Sequence, residues 1–113
     1  MFVTSKECRD LSPNEAKSYI LGYTVGNDLS CRLFQLPQNS AGQFFFAKAF
    51  DKFAPIGPTL ISPDVFANGA ACTVVTRVNG EVRQTADLLK DMIFPPETIL
   101  SHMSQGKELS KES

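Results

Sequence analysis

Tryptophan is absent from this chain of 113 residues, histidine occurs once, and cysteine only three times. Each scarcity excludes something. His102 stands beside no cysteine or second histidine with which it could share a metal, and no Ser-His-Asp set can be assembled around it. Cys8, Cys31 and Cys72 are far apart, odd in number and without zinc-ligand spacing, so they read as reduced structural thiols. Neither charge is in excess: 11 Lys and Arg face 12 Asp and Glu. That removes the electrostatic case for nucleic acid or an anionic membrane as partner. No apolar run approaches the roughly 20 residues that span a bilayer, and the start, Met1 to Lys6, lacks the basic-then-apolar order of a secretory signal. No internal repeat, linker or glycine-rich phosphate loop occurs. A soluble intracellular protein is expected, cytoplasmic, or mitochondrial if a segment precedes Met1.

What is present is phenylalanine, nine in all, concentrated between Phe34 and Phe53. The length suits one small domain. Residues 1–4 read as a strand end. Ser12-Pro13-Asn14-Glu15 reads as a helix start, with Ser12 as cap, Pro13 at the first helical position and Glu15 completing a capping box. Ala16, Tyr19 and Ile20 give that helix a buried face, and Gly22 its end. Asn27-Asp28 is expected to cap a short helix reaching Gln35. Pro37 to Gly42 reads as a loop, Gln43 to Phe46 as an aromatic strand. The clearest local signal is the hairpin Thr73–Val78, Asn79-Gly80, Glu81–Gln84, because Asn-Gly tolerates the positive φ angles of a two-residue turn. A last helix is expected from Pro96 to Gln105, buried along Ile99, Leu100 and Met103 and stopped by Gly106. The reading is an α+β, β-rich fold with short helices near 13–21 and 96–105, one domain over 1–106 and a polar, frayed tail over 107–113.

Two clusters could carry chemistry. Asp28, Arg32 and Gln35 stand at i, i+4 and i+7, one face if the stretch is helical. A carboxylate is a hard oxygen ligand suited to Mg²⁺ or Ca²⁺, and Arg can grip a substrate carboxylate through two parallel hydrogen bonds. A capping Asp beside a solvated polar face has the same spacing. Lys48 sits in Phe44-Phe45-Phe46-Ala47-Lys48-Ala49-Phe50. Apolar surroundings would give its charge leverage on a developing anion; the alternative is a stem lying on aromatics with its head in water.

These stretches together resemble the fumarylacetoacetate hydrolase superfamily. Gly22-Tyr23-Thr24-Val25-Gly26-Asn27-Asp28-Leu29-Ser30-Cys31-Arg32, with Gln35, resembles its central motif. Ala47-Lys48-Ala49-Phe50-Asp51 followed by Ala54-Pro55-Ile56-Gly57-Pro58 resembles the next. Val78 to Gln84 and Asp91-Met92-Ile93-Phe94 resemble the two after that. The resemblance implies a partial mixed β-sandwich roll of the fumarylacetoacetase C-terminal-like fold, usually in homodimers. It implies Mg²⁺, or else Ca²⁺ or Mn²⁺, chelated by a small keto-acid or diketone. The implied reactions are carbon–carbon bond hydrolysis of acylpyruvates, and decarboxylation or tautomerisation of oxaloacetate-like acids, through a metal-stabilised enolate. Carried across, Asp28 is the metal ligand, Arg32 and Gln35 line the substrate pocket, and Lys48 is the catalytic lysine.

The resemblance also marks departures. The family's Glu-x-Glu metal ligands, its lid His and Glu, and a Thr-Gly-Thr-Pro segment do not occur in these residues, and Leu33 stands where an acid often follows the arginine. The expectation is therefore weak Mg²⁺ binding and no turnover by the isolated chain. The alternative is a non-catalytic product or an interaction module that pairs with a full-length paralogue.

Overall fold

A computed structural model describes residues 1–68 and 72–111. They divide into two compact units: a core unit of Phe2–Tyr23 with the chain from Ile61 onward, and a loop unit of Met1 with Thr24–Leu60.

In the core unit, β1 (Phe2–Thr4) pairs antiparallel with β2 (Ile20–Tyr23), in register Phe2 with Tyr23, Val3 with Gly22 and Thr4 with Ile20. Between them the capping box forms as read. The Ser12 hydroxyl accepts from Glu15 N–H, and the Glu15 carboxylate accepts from Ser12 N–H at 3.0 Å. Helix α1 (Pro13–Ala16) then tightens into a 3-10 turn, Lys17–Tyr19. The helical stretch stops there because Ile20 is taken into the ladder with Thr4. Gly22, expected as a helix stop, is a buried strand residue.

Helix α6 (Pro96–Ser104) lies against α1. Its buried residues are Leu100, Ser101 and Ser104, while Ile99 and Met103, expected beside Leu100 in the stripe, are more than a third exposed. The hydroxyls are buried because each has partners. Ser101 Oγ–H donates to Leu11 O at 2.7 Å, and Ser104 Oγ accepts from Leu11 N–H at 3.0 Å while donating to Ser101 O at 2.8 Å. Paired in this way, they avoid the cost of a polar group taken from water. Cys8, Leu11, Ala16, Ile20 and Leu100 make the core, with Phe2, Tyr19, Tyr23 and Leu109 packed on it. Leu109 falls in the stretch expected to fray. Cys8 and Leu109 instead exchange two main-chain hydrogen bonds, 3.1 and 2.9 Å, and Lys111 is the last described residue.

The hairpin has the expected turn. Strands β3 (Thr73–Val78) and β4 (Glu81–Asp87) pair antiparallel, with a register shift after Thr76. Asn79 and Gly80 have φ of 52° and 84°, the two positive angles of a type I′ turn. Short helices α4 (Pro63–Asn68) and α5 (Leu88–Asp91) were not foreseen. Phe66 of α4 stacks on Tyr23 with ring centroids 3.9 Å apart.

The loop unit has no ladder among its described residues, only a bridge between Gly26 and Ile56 and short helical turns. These are a 3-10 turn at Arg32–Gln35, α2 (Pro37–Ser40) and α3 (Phe45–Lys48). Two expectations are corrected. The segment from Pro37 is helical through Ser40, led by a proline at the first position. The aromatic run at Phe44–Phe46 enters a helix rather than a strand. Phe46 and Phe50 stand with centroids 5.5 Å apart and both meet Phe34. Four residues along a strand would separate them by roughly 13 Å, whereas about one helical turn brings them together.

Candidate functional site

The segment from Gly26 to Cys31 positions the first candidates. It is not the helix that the i, i+4, i+7 spacing suggested. Gly57 N–H donates to Val25 O and Asn27 N–H to Pro55 O, each at 3.0 Å, so the chain on either side of Gly26 is committed to a bridge and cannot coil. A Cβ at Gly26 would stand 1.7 Å from the Met1 sulfur, so a side chain there would displace the exposed thioether of Met1. Helical geometry begins only at Arg32. Asp28 therefore does not share a helical face with Arg32 and Gln35.

The structure makes two pairs of these residues instead. Arg32 and Gln35 lie one turn apart in a 3-10 helix, where side chains three residues apart eclipse, and Arg32 Nη1–H donates to Gln35 Oε1 at 2.6 Å. The second pair links distant parts of the sequence. Lys48, at the end of α3, donates from Nζ to Asp28 Oδ2. The same ammonium donates to Ser30 Oγ at 2.9 Å, and the Ser30 hydroxyl donates to Asp28 O at 3.2 Å. Cys31 N–H donates to Ala47 O at 2.9 Å, which ties the acidic segment to α3 one residue from each partner. The 3-10 turn of Arg32 and Gln35 packs on α3 as well.

The site is half open. The Lys48 side chain is 36% exposed and that of Asp28 70%, so the surroundings of Lys48 are wetter than its phenylalanine-rich sequence suggested. Its ion pair is of the exposed kind, worth little to stability, and its interest is positional. An ammonium has three N–H donors; Asp28 and Ser30 take two, leaving one for a ligand oxygen. Arg32 is exposed, and only one of its five N–H groups is spent on Gln35. Ser30 was not singled out from the sequence. The available signal was a hydroxyl residue two places after the aspartate in the motif that carries the resemblance.

Do these residues suit a divalent cation? Mg²⁺ and Ca²⁺ take several hard oxygens in a defined shell. The cluster offers one carboxylate, already paired with an ammonium, and no three His, Cys, Asp or Glu among the described residues are grouped to hold an ion. The described residues thus do not fit a complete site, and Asp28 can supply one ligand at most two oxygens wide. His102 is exposed on α6. No helix among the described residues is long and apolar enough to cross a membrane.

Comparison with known proteins identifies the family. The fumarylacetoacetate (FAA) hydrolase C-terminal family profile matches residues 1–112. A fumarylacetoacetate hydrolase domain-containing protein from Dictyostelium discoideum is 35% identical, the match taking in 91% of this chain and 36% of that relative. A human mitochondrial oxaloacetate tautomerase is 33% identical over 91% of this chain and 32% of its own length. Among solved structures, fumarylacetoacetate hydrolase from Exiguobacterium antarcticum superposes with a TM-score of 0.81 at 36% identity, covering 97% of this chain and 38% of that one. A 2-hydroxyhepta-2,4-diene-1,7-dioate isomerase from Mycobacterium marinum gives 0.81 at 35% identity, over 98% of this chain and 41% of that one. The chain thus spans about a third of the curated relatives' length. With residues 1–112 matched by the family profile and the fold reproduced, this chain belongs to the fumarylacetoacetate hydrolase family.

Proposed function

We propose that this chain supplies the lysine-bearing wall of a site for small keto-acids or diketones, in which Lys48 opposes the negative charge of an enolate. The observation that carries the reading is the Lys48 ammonium held between the Asp28 carboxylate and the Ser30 hydroxyl with one donor to spare. Tautomerisation of oxaloacetate and isomerisation of an unsaturated dioate are reactions in the relatives' names, and hydrolysis of a carbon–carbon bond beside a carbonyl is the reaction the family resemblance implies. All place negative charge on a carbonyl oxygen as a bond to the neighbouring carbon is made or broken. A fixed cation aimed at that oxygen lowers the barrier of each. In the tautomerisation, a proton leaves the carbon beside the carbonyl and one arrives on the oxygen, and the N–H of Lys48 steadies the anion between those events. Arg32, braced by Gln35, is suited to fork a substrate carboxylate.

Asp28 would serve Mg²⁺, Ca²⁺ or Mn²⁺ only in a site completed by carboxylates other than those grouped here, so no step is assigned to a metal. On the chain alone, calorimetry should find no saturable Mg²⁺ binding in the micromolar range, and acetylpyruvate should not be cleaved. The reading itself is tested by titrating oxalate, a planar dianion resembling a pyruvate enolate, into protein labelled with ¹⁵N at lysine. The Lys48 signal should move saturably, and Arg32→Ala should weaken the effect severalfold. A Lys48 response no greater than that of the exposed Lys17 would overturn the assignment.

One observation favours a second role, as an interaction module. Strands β3 and β4 form a two-stranded sheet whose outer edges have no ladder partner among the described residues, and most of their side chains are exposed. Such edges accept a further strand. Co-purification with a longer family member would support this role; recovery of the chain alone, with such a member present, would count against it.

A further inference from the structure

We infer that Ser30 is a positioning residue for Lys48, fixing the direction of its ammonium so that the third donor is presented to the ligand. The inference rests on the functional reading above and adds a residue to it. Lysine is a poor directional donor by nature, a point charge on a four-carbon stem with many rotamers. An ion pair to a carboxylate that is itself 70% exposed restrains it weakly, since a carboxylate offers acceptor sites over a wide arc. The hydroxyl of Ser30 narrows that freedom. It has one proton and two lone pairs. The proton is committed to Asp28 O at 3.2 Å, which turns lone pairs toward Nζ at 2.9 Å.

The bonds close a ring: Asp28 carboxylate, Lys48 ammonium, Ser30 hydroxyl, Asp28 main chain. The frame of that ring is set independently. Cys31 N–H bonded to Ala47 O fixes the residue after Ser30 against the residue before Lys48. Main chain sets the distance, and the hydroxyl sets the angle. A group that only filled space would be replaced as well by alanine or cysteine as by threonine. A positioning hydroxyl is replaced only by threonine.

The test is ¹⁵N spectroscopy of the lysine ammonium groups in the full chain at low temperature, where a held ammonium exchanges its protons slowly. In the wild type, Lys48 Nζ protons should exchange more slowly than those of Lys17. Ser30→Ala should speed Lys48 exchange about fivefold, the factor for loss of one net hydrogen bond, with the backbone amide spectrum otherwise kept. Ser30→Thr should restore the slow rate, and Ser30→Cys should not. Equal rates in wild type and Ser30→Ala, or rescue by cysteine, overturn the inference. Should Ser30→Ala fail to fold, the pair Ser30→Thr and Ser30→Cys decides alone. Oxalate separates the two levels of argument. If the exchange pattern holds but oxalate leaves Lys48 unmoved, positioning stands and the functional reading falls. If oxalate moves Lys48 equally in wild type and Ser30→Ala, the functional reading stands and the positioning role falls.

Discussion

The core unit and the loop unit spend their residues differently. The core unit encloses Leu100, Ala16 and Ile20 almost completely and closes buried hydroxyls onto main chain. The loop unit buries only Ala47 and Ser40 below a tenth exposure, and leaves Phe45 81% and Phe46 62% exposed. Yet the loop unit holds the lysine, arginine and aspartate. These side chains are placed by main-chain tethers such as Cys31 to Ala47 and Asn27 to Pro55, with little apolar burial behind them. The lesson is that the buried core and the Asp28–Lys48 cluster lie in separate stretches of this polypeptide, and substitutions should sort accordingly.

The largest effect expected is from Leu100→Ala. A fully buried leucine in the core should cost about 2 to 5 kcal/mol by urea denaturation, while Phe46→Ala in the loop unit should cost less than about 1 kcal/mol, because most of its ring already meets water. Equal costs would break the comparison. Next comes Ser104→Ala. It strips the acceptor from the buried Leu11 N–H and should cost about 1 to 3 kcal/mol without altering the Lys48 signal; a moved Lys48 signal would show that the two kinds of residue are not separable. The smallest effect is electrostatic. Bonds from Ser12 hold the Glu15 carboxyl below its usual range, so the folded form binds that proton less readily than the unfolded chain. Its contribution is complete above the ordinary glutamate pKa of 4.5 and is lost as the pH falls through the lower folded value. Glu15→Gln should flatten this part of the acid limb in thermal melts and leave the neutral plateau nearly flat. The Asp87 carboxyl, lowered chiefly by its hydrogen bond with Lys90, has the same sign and should preserve the remainder of the slope.

What the sequence made legible follows the same division. The capping box at Ser12, the Asn79-Gly80 turn and the last helix were readable because each depends on residues within a few places of one another. The motif pattern also named Asp28 and Lys48, which do meet. The helix expected from Asp28 to Gln35 was not there, since Gly57 and Pro55 claim the main chain before it. The strand expected at Gln43 to Phe46 was overridden by the ring cluster with Phe34 and Phe50. Such partners lie too far along the chain for a local pattern to register them. At Leu33, where the resemblance places an acid beside Arg32, no carboxylate is present, and the arginine bonds to Gln35.

The mutual hold of Cys8 and Leu109 has a consequence for synthesis. Leu11 also meets Ser101 and Ser104 across sequence separations of 90 and 93 residues, and the Asp10 carboxylate accepts from Gly106 N–H across 96. A nascent chain on the ribosome carries the first of these partners long before it acquires the second. Closing so wide a loop is slow, so β1 and α1 wait, unsealed, until the stretch from Ser101 to Leu109 has been made. The bonds of Lys48 to Asp28 and Ser30 span only 20 and 18 residues and can form while the polypeptide is still emerging, so that Lys48 is set in place before the ends of the core unit meet.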